Sequence, residues 1–477
     1  MVKRSAARSA SPYRPRVTAA ATSPTAPPAT VTDRAALLDA FRGCRRQTLA
    51  LCEPLNDEDH VVRSMPDCSP AKWHLAHTTW FFERFLLADH APGYQPFHPR
   101  YEYLFNSYYN AIGPRHCRSE RGVISRPTVG EVVAFRHAID ARVERLLDEA
   151  DGELFATLAP VVTLGIHHEQ QHQELLLTDV KHLLSSNPLL PAYRDDPGGA
   201  ADCGGSGAET PAVRGPEAVL GGTPFERFDG GVVSIGTDGS DGFGFDNERP
   251  RHRVFLEPYA IAERLATWGE YLAFVSDGGY ERSELWLDAG WAVVRREEQS
   301  CPLYAWADAD APSGFSEYTL RGPRPVDPAA PVSHLSFFEA DAFARWAGAR
   351  LPTEAEWEHA YADGPPPERE DPFAFVESGT LHPRRRAGSV GAFGHLWQWT
   401  ASAYRPYPGF AAEPGAIGEY NGKFMSGCMV LRGGSLATPR SHARATYRNF
   451  FAPETRWQFT GVRLALDAPL RGDFSAA

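Results

Sequence analysis

The length, composition and charge of the chain exclude several classes of protein. With 477 residues, 43% hydrophobic and 23% charged, it has the composition of a folded globular protein and exceeds the usual size of one domain. We therefore expect two large domains. The net charge of -12 argues against a nucleic-acid partner, because phosphate binding requires a surplus of basic residues on one face. Small polar substrates fit this balance better.

The cysteines and the apolar runs indicate the cellular compartment. The seven cysteines contain no CxxC pair, and an odd number is a poor basis for a disulfide framework. No apolar run approaches the roughly 20 residues that cross a bilayer, and the N-terminus lacks the apolar core of a secretory signal. We predict a cytoplasmic protein without a membrane partner. Residues 1–32 are interpreted as a disordered tail, with an organelle transit peptide as the alternative.

The N-terminal half has the pattern of a helical bundle. Between residues 33 and 194, apolar side chains recur at helical spacing. Thr128 and Glu131 have the spacing of a capping box that opens the third helix. The predicted helices include residues 36–41, 80–86, 132–146 and 158–184.

The C-terminal half has a different composition. Residues 195–222 are mostly Gly, Ala, Pro and Asp, and we interpret them as a linker that does not support packing. From residue 223 to residue 468 the pattern predicts short strands, as at 231–235 and 254–256, with residues 469–477 as a tail. Two helices, at about 267–276 and 336–347, are expected among these strands. The predicted fold class is therefore α+β.

Histidines on two of the predicted helices suggest a metal site. His168 and His172 are four residues apart, so they share one helix face about one turn apart. His77 lies on another apolar helix, from which a bundle can direct it into the same interior. A solvated or core pair without a metal is the alternative. His74 and His167 adjoin better candidates, and we expect them to be structural.

The spacing of the histidines does not choose between metals. Three imidazoles leave about three positions open on an octahedral ion, enough for a thiolate, a substrate imidazole and oxygen. On tetrahedral zinc they leave about one position, for water. Both iron and zinc are compatible with the pattern.

Longer sequence runs point to a family. They are SPAKWHLAHTTWFFERFLL, LFNSYYNAIG, HHEQQHQELLLTDVKH, RLPTEAEWEHA, EYNGKFM, VLRGGSLATPRSHARATYRNFF and RWQFTGVRLA. With these runs the chain resembles, over residues 33–467, the ergothioneine-biosynthesis sulfoxide synthases, or hercynine oxygenases. The resemblance implies a DinB-like four-helix bundle followed by a mixed domain of the formylglycine-generating-enzyme and C-type-lectin-like type. It also implies an Fe(2+) enzyme that uses O2 to join hercynine to cysteine or γ-glutamylcysteine.

The resemblance assigns roles to the metal and to the betaine site. It implies that iron(II) is held by the three histidines named above, His77, His168 and His172. Gln171 is then expected near the betaine end of hercynine. Asn449 and Phe450 of the second domain are expected to contact the trimethylammonium group and the ring of hercynine. A quaternary cation donates no hydrogen bonds, so aromatic faces and amide oxygens suit it.

The resemblance also assigns a proton donor and a site for the thiol. Tyr108 and Tyr109 resemble tyrosines that place a catalytic phenol on the helical domain, and Tyr108 is the preferred donor. Ordinary packing of the two rings is the alternative. Arg118 and Arg121 match arginines that bind the cysteine-derived substrate, and Arg is suited to hold its carboxylates. A basic surface loop is the alternative.

The second domain departs from true formylglycine-generating enzymes. Those enzymes bind copper through two cysteines soon after the Gly-Gly-Ser run, and Thr438 and Ala443 stand at about those places here. That activity is therefore not expected. Glu354, Glu356 and Arg432 are interpreted as scaffold residues.

Three other functions remain compatible with the sequence. Ovothiol-type coupling with histidine, or a selenium analogue, would keep the architecture and change the substrates. A DinB-like zinc thiol transferase fused to a binding module would change the metal. A lectin-like binding protein would need no catalytic metal.

Overall fold

A computed structural model describes residues 33–195, 215–240, 242–362, 374–385 and 391–468. The predicted tails, 1–32 and 469–477, and most of the predicted linker lie outside the described residues. The described chain forms a helical domain followed by a domain of short strands and helices, which confirms the predicted α+β class.

The helical domain is a four-helix bundle. Some of its helices begin at a side-chain cap, and their apolar faces are buried in the bundle. The predicted capping box is confirmed, because Thr128 and Glu131 each accept from the other's backbone N–H. Gly165 lets two of these helices approach closely, since a Cβ atom there would overlap the ring of Phe82. The helices are α1 (Arg34–Cys52), α2 (Ala71–Phe82, continued by a π-helix at Glu83–Leu87), α3 (Ala88–His90), α4 (Tyr101–Phe105), α5 (Val129–Glu149) and α6 (Gly152–Ser185), with a 3-10 turn at Arg118–Val123. The bundle itself consists of α1, α2, α5 and α6.

The second domain consists of short strands joined by helices and 3-10 turns. Its strands are β1 (Phe225–Phe228), β2 (Gly231–Ile235), β3 (His252–Leu256), β4 (Tyr259–Ala262), β5 (Ala305–Ala307), β6 (Phe315–Thr319), β7 (Gly322–Pro325), β8 (Trp397–Ala403), β9 (Met429–Arg432), β10 (Asn449–Phe451), β11 (Thr460–Gly461) and β12 (Ala465–Asp467). They pair in the orders β1-β4-β12, β10-β9-β8-β11, β2-β3 and β5-β6-β7. Its helices are α7 (Pro216–Gly222), α8 (Trp268–Ser276), α9 (Asp288–Glu297), α10 (Phe337–Trp346) and α11 (Glu354–Ala360). Its 3-10 turns are Asp246–Glu248, Ser283–Leu285, Val376–Ser378, Ala416–Glu419, Gly422–Phe424 and Arg440–His442.

Two predictions about this half of the chain are wrong. The sequence predicts two helices after the linker, whereas the described residues also contain α9 and α11. Helix α11 has only 7 residues, so it carries little periodicity and depends on its capping box of Thr353 and Glu356. The predicted linker contains α7, whose Val219 side chain is buried.

The acid at the start of α11 lies within the scaffold. Glu354 Oε2 accepts from Arg448 Nε at 2.8 Å and from Arg432 Nη2 at 3.1 Å. Both arginines are buried, so their charges are compensated inside the second domain.

The described residues contain neither a candidate membrane span nor a disulfide bond. None of the helices in these ranges has the length and apolarity to cross a bilayer. The six cysteines in the same ranges are all unbridged. A cytoplasmic location stays a prediction.

Helix α6 belongs to the bundle and also forms the main contact with the second domain. The buried carboxylate of Glu174 accepts hydrogen bonds from Trp397 Nε1 at 2.7 Å, Ser435 Oγ at 2.5 Å and Thr438 Oγ1 at 2.8 Å. Burial raises the pKa of Glu174, although these donors oppose the shift. One cluster of buried apolar side chains extends from Leu37 in the bundle into the second domain. Helix α6 therefore supplies one of the buried contacts that dock the two domains.

We expect Glu174→Ala to weaken this docking. Three buried donors would lose their acceptor, at a cost of roughly 2–4 kcal/mol, and the thermal unfolding midpoint should fall by several degrees. Glu174→Gln is the matched control, because its amide oxygen keeps one acceptor and should retain part of the stability. An unfolding midpoint of Glu174→Ala equal to that of the wild type would contradict the role of this contact.

Candidate metal centre

Three histidines from two bundle helices meet in the interior. His77 comes from α2, and His168 and His172 lie one turn apart on α6. Their candidate ligand nitrogens all lie within 4.8 Å of one another, and all three residues are buried. Nitrogens bonded to one ion lie at most about 4 Å apart, so small side-chain rotations would bring these three onto a shared ion. We refer to them as the triad.

The triad contains buried nitrogen atoms that lack hydrogen-bond partners among the described residues. They are Nε2 of His77 and both ring nitrogens of His168. A buried polar atom without a partner costs about 1–3 kcal/mol, so such atoms call for an explanation. A metal ion at the centre of the triad would accept the lone pair of His77 Nε2 and that of one His168 nitrogen, and the donor set therefore fits a metal.

Hydrogen bonds around the triad orient the other nitrogens. His77 Nδ1 lies 2.5 Å from the Phe105 carbonyl oxygen, to which it donates. His172 Nδ1 lies 2.8 Å from His74 Nδ1, and His74 Nε2 lies 3.1 Å from Asp179 Oδ2. The assignment that satisfies both contacts has His74 donating to Asp179 and accepting from His172. It leaves Nε2 of His77 and of His172 with lone pairs for a metal.

The two neighbouring histidines lie outside the triad. His74 supports His172 through the contact just described. His167 turns toward the second domain, where its Nδ1 lies 2.9 Å from His442 Nδ1 and its ring stacks on Phe243 with centroids 3.9 Å apart. Adjacent residues on a helix point in different directions, which explains the separation.

Burial keeps the triad neutral. It lowers the pKa of His77 and His172 well below the usual value for histidine, and that of His168 to about 3. The neighbouring Glu169 points away into the bundle and pairs with Arg45 at 2.6 Å and with Arg136. The triad therefore offers lone pairs without a proton to displace at neutral pH.

A buried arginine lies beside the triad. Trp73 stacks on His77 with ring centroids 4.5 Å apart, and the guanidinium carbon of Arg121 lies 3.4 Å from the Trp73 ring centroid. Arg121 donates to Ser69 Oγ at 2.9 Å and to Ser107 Oγ at 3.1 Å. Burial lowers its pKa to about 9. Within the described ranges it forms no ion pair, so this cation can receive a carboxylate.

The second predicted arginine has a different environment. Arg118 is exposed, and its Nη2 donates to the Asp67 carbonyl oxygen at 2.5 Å. The structure therefore separates the two arginines, which sequence spacing alone treats alike.

The predicted tyrosines meet a third tyrosine from the second domain. Tyr109 is buried, and the half-buried Tyr108 forms hydroxyl contacts with both Tyr109 and Tyr420. The ring of Tyr420 packs edge-on against His168, with centroids 5.4 Å apart. Burial raises the pKa of Tyr108, so its phenol stays protonated at neutral pH. Sequence reasoning missed Tyr420, although it lies within the EYNGKFM run.

The residues predicted for hercynine come from both domains. Gln171, next to His172 on α6, donates from Nε2 to the Tyr447 hydroxyl at 2.5 Å. Asn449 and Phe450 follow on β10, where Asn449 Oδ1 accepts from the Phe450 backbone N–H at 2.9 Å. Gln171 therefore lies at the contact between α6 and the second domain, whereas the Phe450 ring stacks on Tyr404 within the second domain, with centroids 4.1 Å apart.

A cavity of about 360 Å³ lies between α6 and the second domain. Leu164, Phe243, Phe245 and Tyr420 contribute to its walls. Its described lining does not include the triad or the predicted substrate residues. Tyr420 connects the two, since it also contacts His168.

Comparison with known domain families covers both halves of the chain. Residues 40–176 match the DinB superfamily. Residues 226–386 and 366–468 match the sulfatase-modifying factor enzyme 1-like domain. The predicted domain types are therefore confirmed.

Comparison with whole proteins identifies relatives along nearly the full chain. A hercynine oxygenase from Mycolicibacterium thermoresistibile is 31% identical, over 92% of this chain and 96% of the relative. A hercynine oxygenase from Mycobacterium tuberculosis is 33% identical, over 89% of this chain and 96% of the relative. A formylglycine-generating enzyme from Streptomyces coelicolor is 28% identical and covers 52% of this chain and 91% of its own length. The chain belongs to the hercynine oxygenase family of oxidoreductases.

Proposed function

We propose that this chain is an iron(II), O2-dependent sulfoxide synthase that joins hercynine to cysteine or γ-glutamylcysteine. The observation that carries the proposal is the triad of three buried and neutral imidazoles, in which His77 and His168 have nitrogens without hydrogen-bond partners among the described residues. Relatives named hercynine oxygenase, similar over about nine tenths of the chain, support the substrate class. The proposed pathway is ergothioneine biosynthesis.

The donor set favours iron(II) over zinc for this reaction. Three neutral nitrogens leave the full charge of a divalent ion uncompensated, which favours binding of an anionic thiolate. An octahedral ion also keeps about three positions for substrates. Iron(II) would supply the redox chemistry that oxygen requires and a common centre for both organic substrates.

The proposed overall reaction balances without a further reductant. A thiol, the imidazole C–H of hercynine and O2 give a sulfoxide and water. The thiol S–H and the imidazole C–H bonds break, a carbon–sulfur bond forms, and sulfur and carbon together lose four electrons to O2. One oxygen atom ends on sulfur, and the other leaves as water with both hydrogens.

Arg121 is proposed to bind the carboxylate of the thiol substrate. It is a buried cation beside the triad, and its hydrogen bonds go to two serine hydroxyls. A carboxylate would compensate its charge, and such charge-assisted bonds are strong in a dry site. Arg118 lies at the surface, where we propose that it meets a carboxylate farther from the sulfur.

The betaine is proposed to lie against the second domain. Gln171 stands beside His172 on α6 and contacts Tyr447, which places an amide near the interface of the two domains. Asn449 and Phe450 offer an amide and an aromatic ring on β10. These groups suit a trimethylammonium group, which donates no hydrogen bonds and is attracted to aromatic faces.

Tyr108 is proposed to donate a proton during oxygen reduction. Its phenol is neutral, because burial raises its pKa, and it contacts the hydroxyls of Tyr109 and Tyr420. Tyr109 would then return a proton to Tyr108 along this contact. Timely protonation should favour the coupling over the competing reaction, in which a thiol and O2 give a sulfinic acid.

We expect iron-loaded protein to convert hercynine, a thiol and O2 into the mixed sulfoxide. Product masses measured with cysteine and with γ-glutamylcysteine identify the thiol. Parallel reactions with histidine and with a selenium donor test the alternative couplings. Turnover by the zinc-loaded protein without oxygen uptake would refute the iron proposal.

We expect the triad to be required for iron binding. Replacing His77, His168 or His172 by Ala should reduce iron affinity by more than about 10–100-fold. That range, about 10–100-fold, is the usual loss when only a hydrogen-bond partner of a metal ligand is removed. His74→Ala, which removes the partner of His172, should cost about 10–100-fold. Iron content measured after equilibrium dialysis checks both, with the exposed His137→Ala as the control. Full iron binding by His168→Ala would exclude the proposed centre.

We expect the two arginines to differ in their effect on thiol binding. Arg121→Met should raise KM for the thiol by about 10–100-fold, because a buried charge-assisted hydrogen bond is lost. Arg118→Met should have a smaller effect, since this side chain is exposed. Steady-state kinetics with hercynine saturating separates the two, and equal effects would argue against the assignment of Arg121.

A further inference from the structure

The proposed proton donor lies on a loop that both domains contact. This tyrosine loop, residues 106–111, follows α4 and is turned by Asn106. Asn106 Oδ1 accepts from the Tyr109 backbone N–H at 3.1 Å, and Asn106 Nδ2 donates to the Tyr109 carbonyl at 3.0 Å. The next two backbone N–H groups, of Asn110 and Ala111, find their acceptor in the second domain.

That acceptor is the carboxylate of Glu419. Its Oε2 accepts from Asn110 N–H at 3.0 Å, and its Oε1 accepts from Ala111 N–H at 2.7 Å. Both oxygens are used, so the carboxylate fixes the orientation of two consecutive peptide units. Hydrogen bonds to a charged acceptor are stronger than neutral ones. The loop is thereby attached to a residue more than 300 positions away in the chain.

Lys423, four residues after Glu419, also contacts this loop. Its Nζ donates to the Tyr108 carbonyl oxygen and lies 4.9 Å from the centroid of the Tyr108 ring. It also forms an ion pair with Glu419 at 3.1 Å. Glu419 and Lys423 therefore stabilise one another, and each forms hydrogen bonds with the backbone of the loop.

Two aromatic side chains of the same stretch contact the Tyr108 ring itself. Phe424 packs edge-on against it at 5.5 Å, and Tyr420 lies at 6.0 Å. Residues 416–424, which we name the docking segment, thus contact both the backbone and the side chain of Tyr108. Asn421 ties the docking segment to its own domain through a hydrogen bond to Asp246 Oδ1 at 2.6 Å.

We propose that Glu419 and Lys423 are positioning residues, through which the second domain holds the Tyr108 phenol in the geometry for proton donation. The inference rests on the proposed role of Tyr108 and extends it. Proton transfer requires heavy atoms at about 2.6–3.2 Å, so a loop displaced by about an ångström would donate poorly. The second domain then controls which product forms, besides binding the betaine.

The first test measures the loop directly, without iron or substrate. Glu419→Ala removes the acceptor of two amide protons, so hydrogen exchange in a peptide that contains Asn110 and Ala111 should accelerate about tenfold or more. Glu413→Ala, which removes an exposed carboxylate from the same stretch of chain, is the matched control and should exchange as the wild type does. Unchanged exchange in Glu419→Ala would overturn the proposal.

The second test measures the product at equal iron content. In Glu419→Ala and Lys423→Met, the share of thiol converted to sulfinic acid should rise several-fold and kcat for the sulfoxide should fall. KM for hercynine should stay near the wild-type value. Glu419→Asp, which keeps the carboxylate, should restore part of the wild-type product ratio. Faster exchange with an unchanged product ratio would overturn the positioning role.

Tyr108→Phe separates this inference from the function on which it rests. A changed product ratio in Tyr108→Phe supports the proton donor, and the behaviour of Glu419→Ala then decides the positioning role. An unchanged ratio in Tyr108→Phe shows that another group supplies the proton, and it overturns the inference together with that assignment. The iron and substrate assignments would stand in that case.

Discussion

The arrangement of this protein depends on a buried carboxylate, that of Glu174 on α6. Three donors of the second domain converge on it, and separating these buried donors from their acceptor is costly. The same helix carries His168 and His172 less than two turns earlier. This contact between the domains therefore also helps to set the face of the second domain that meets the triad.

One of those donors, Thr438, follows the Gly-Gly-Ser run of the second domain. Thr438 stands at about the place of a copper-binding cysteine of the formylglycine-generating enzymes that the second domain resembles. Here its hydroxyl donates to Glu174 at 2.8 Å. The position serves to dock the helical domain, and the triad of that domain provides the candidate metal centre.

The sequence predicted the candidate centre well, and its surroundings only in part. Helical spacing selected His168 and His172, a second apolar helix offered His77, and the family motifs implied all three as ligands, because these signals are local in the chain. The roles of Arg118 and Arg121 looked equivalent by spacing, yet one is exposed and the other lies buried on Trp73. Burial arises from contacts between distant segments, and no local pattern records it.

The sequence by itself determined the α+β class, the bundle, its capping box and the family, since periodicity, caps and long motifs are properties of consecutive residues. Only the tertiary structure decided which groups complete the centre. It brought Tyr420 against His168, and it placed Glu419 under the loop of Tyr108, across more than 300 residues of chain. Contacts between residues so far apart in the sequence depend on how the two domains dock. Docking depends on the complementary shape of the two surfaces and on their buried hydrogen bonds, which no local sequence pattern records.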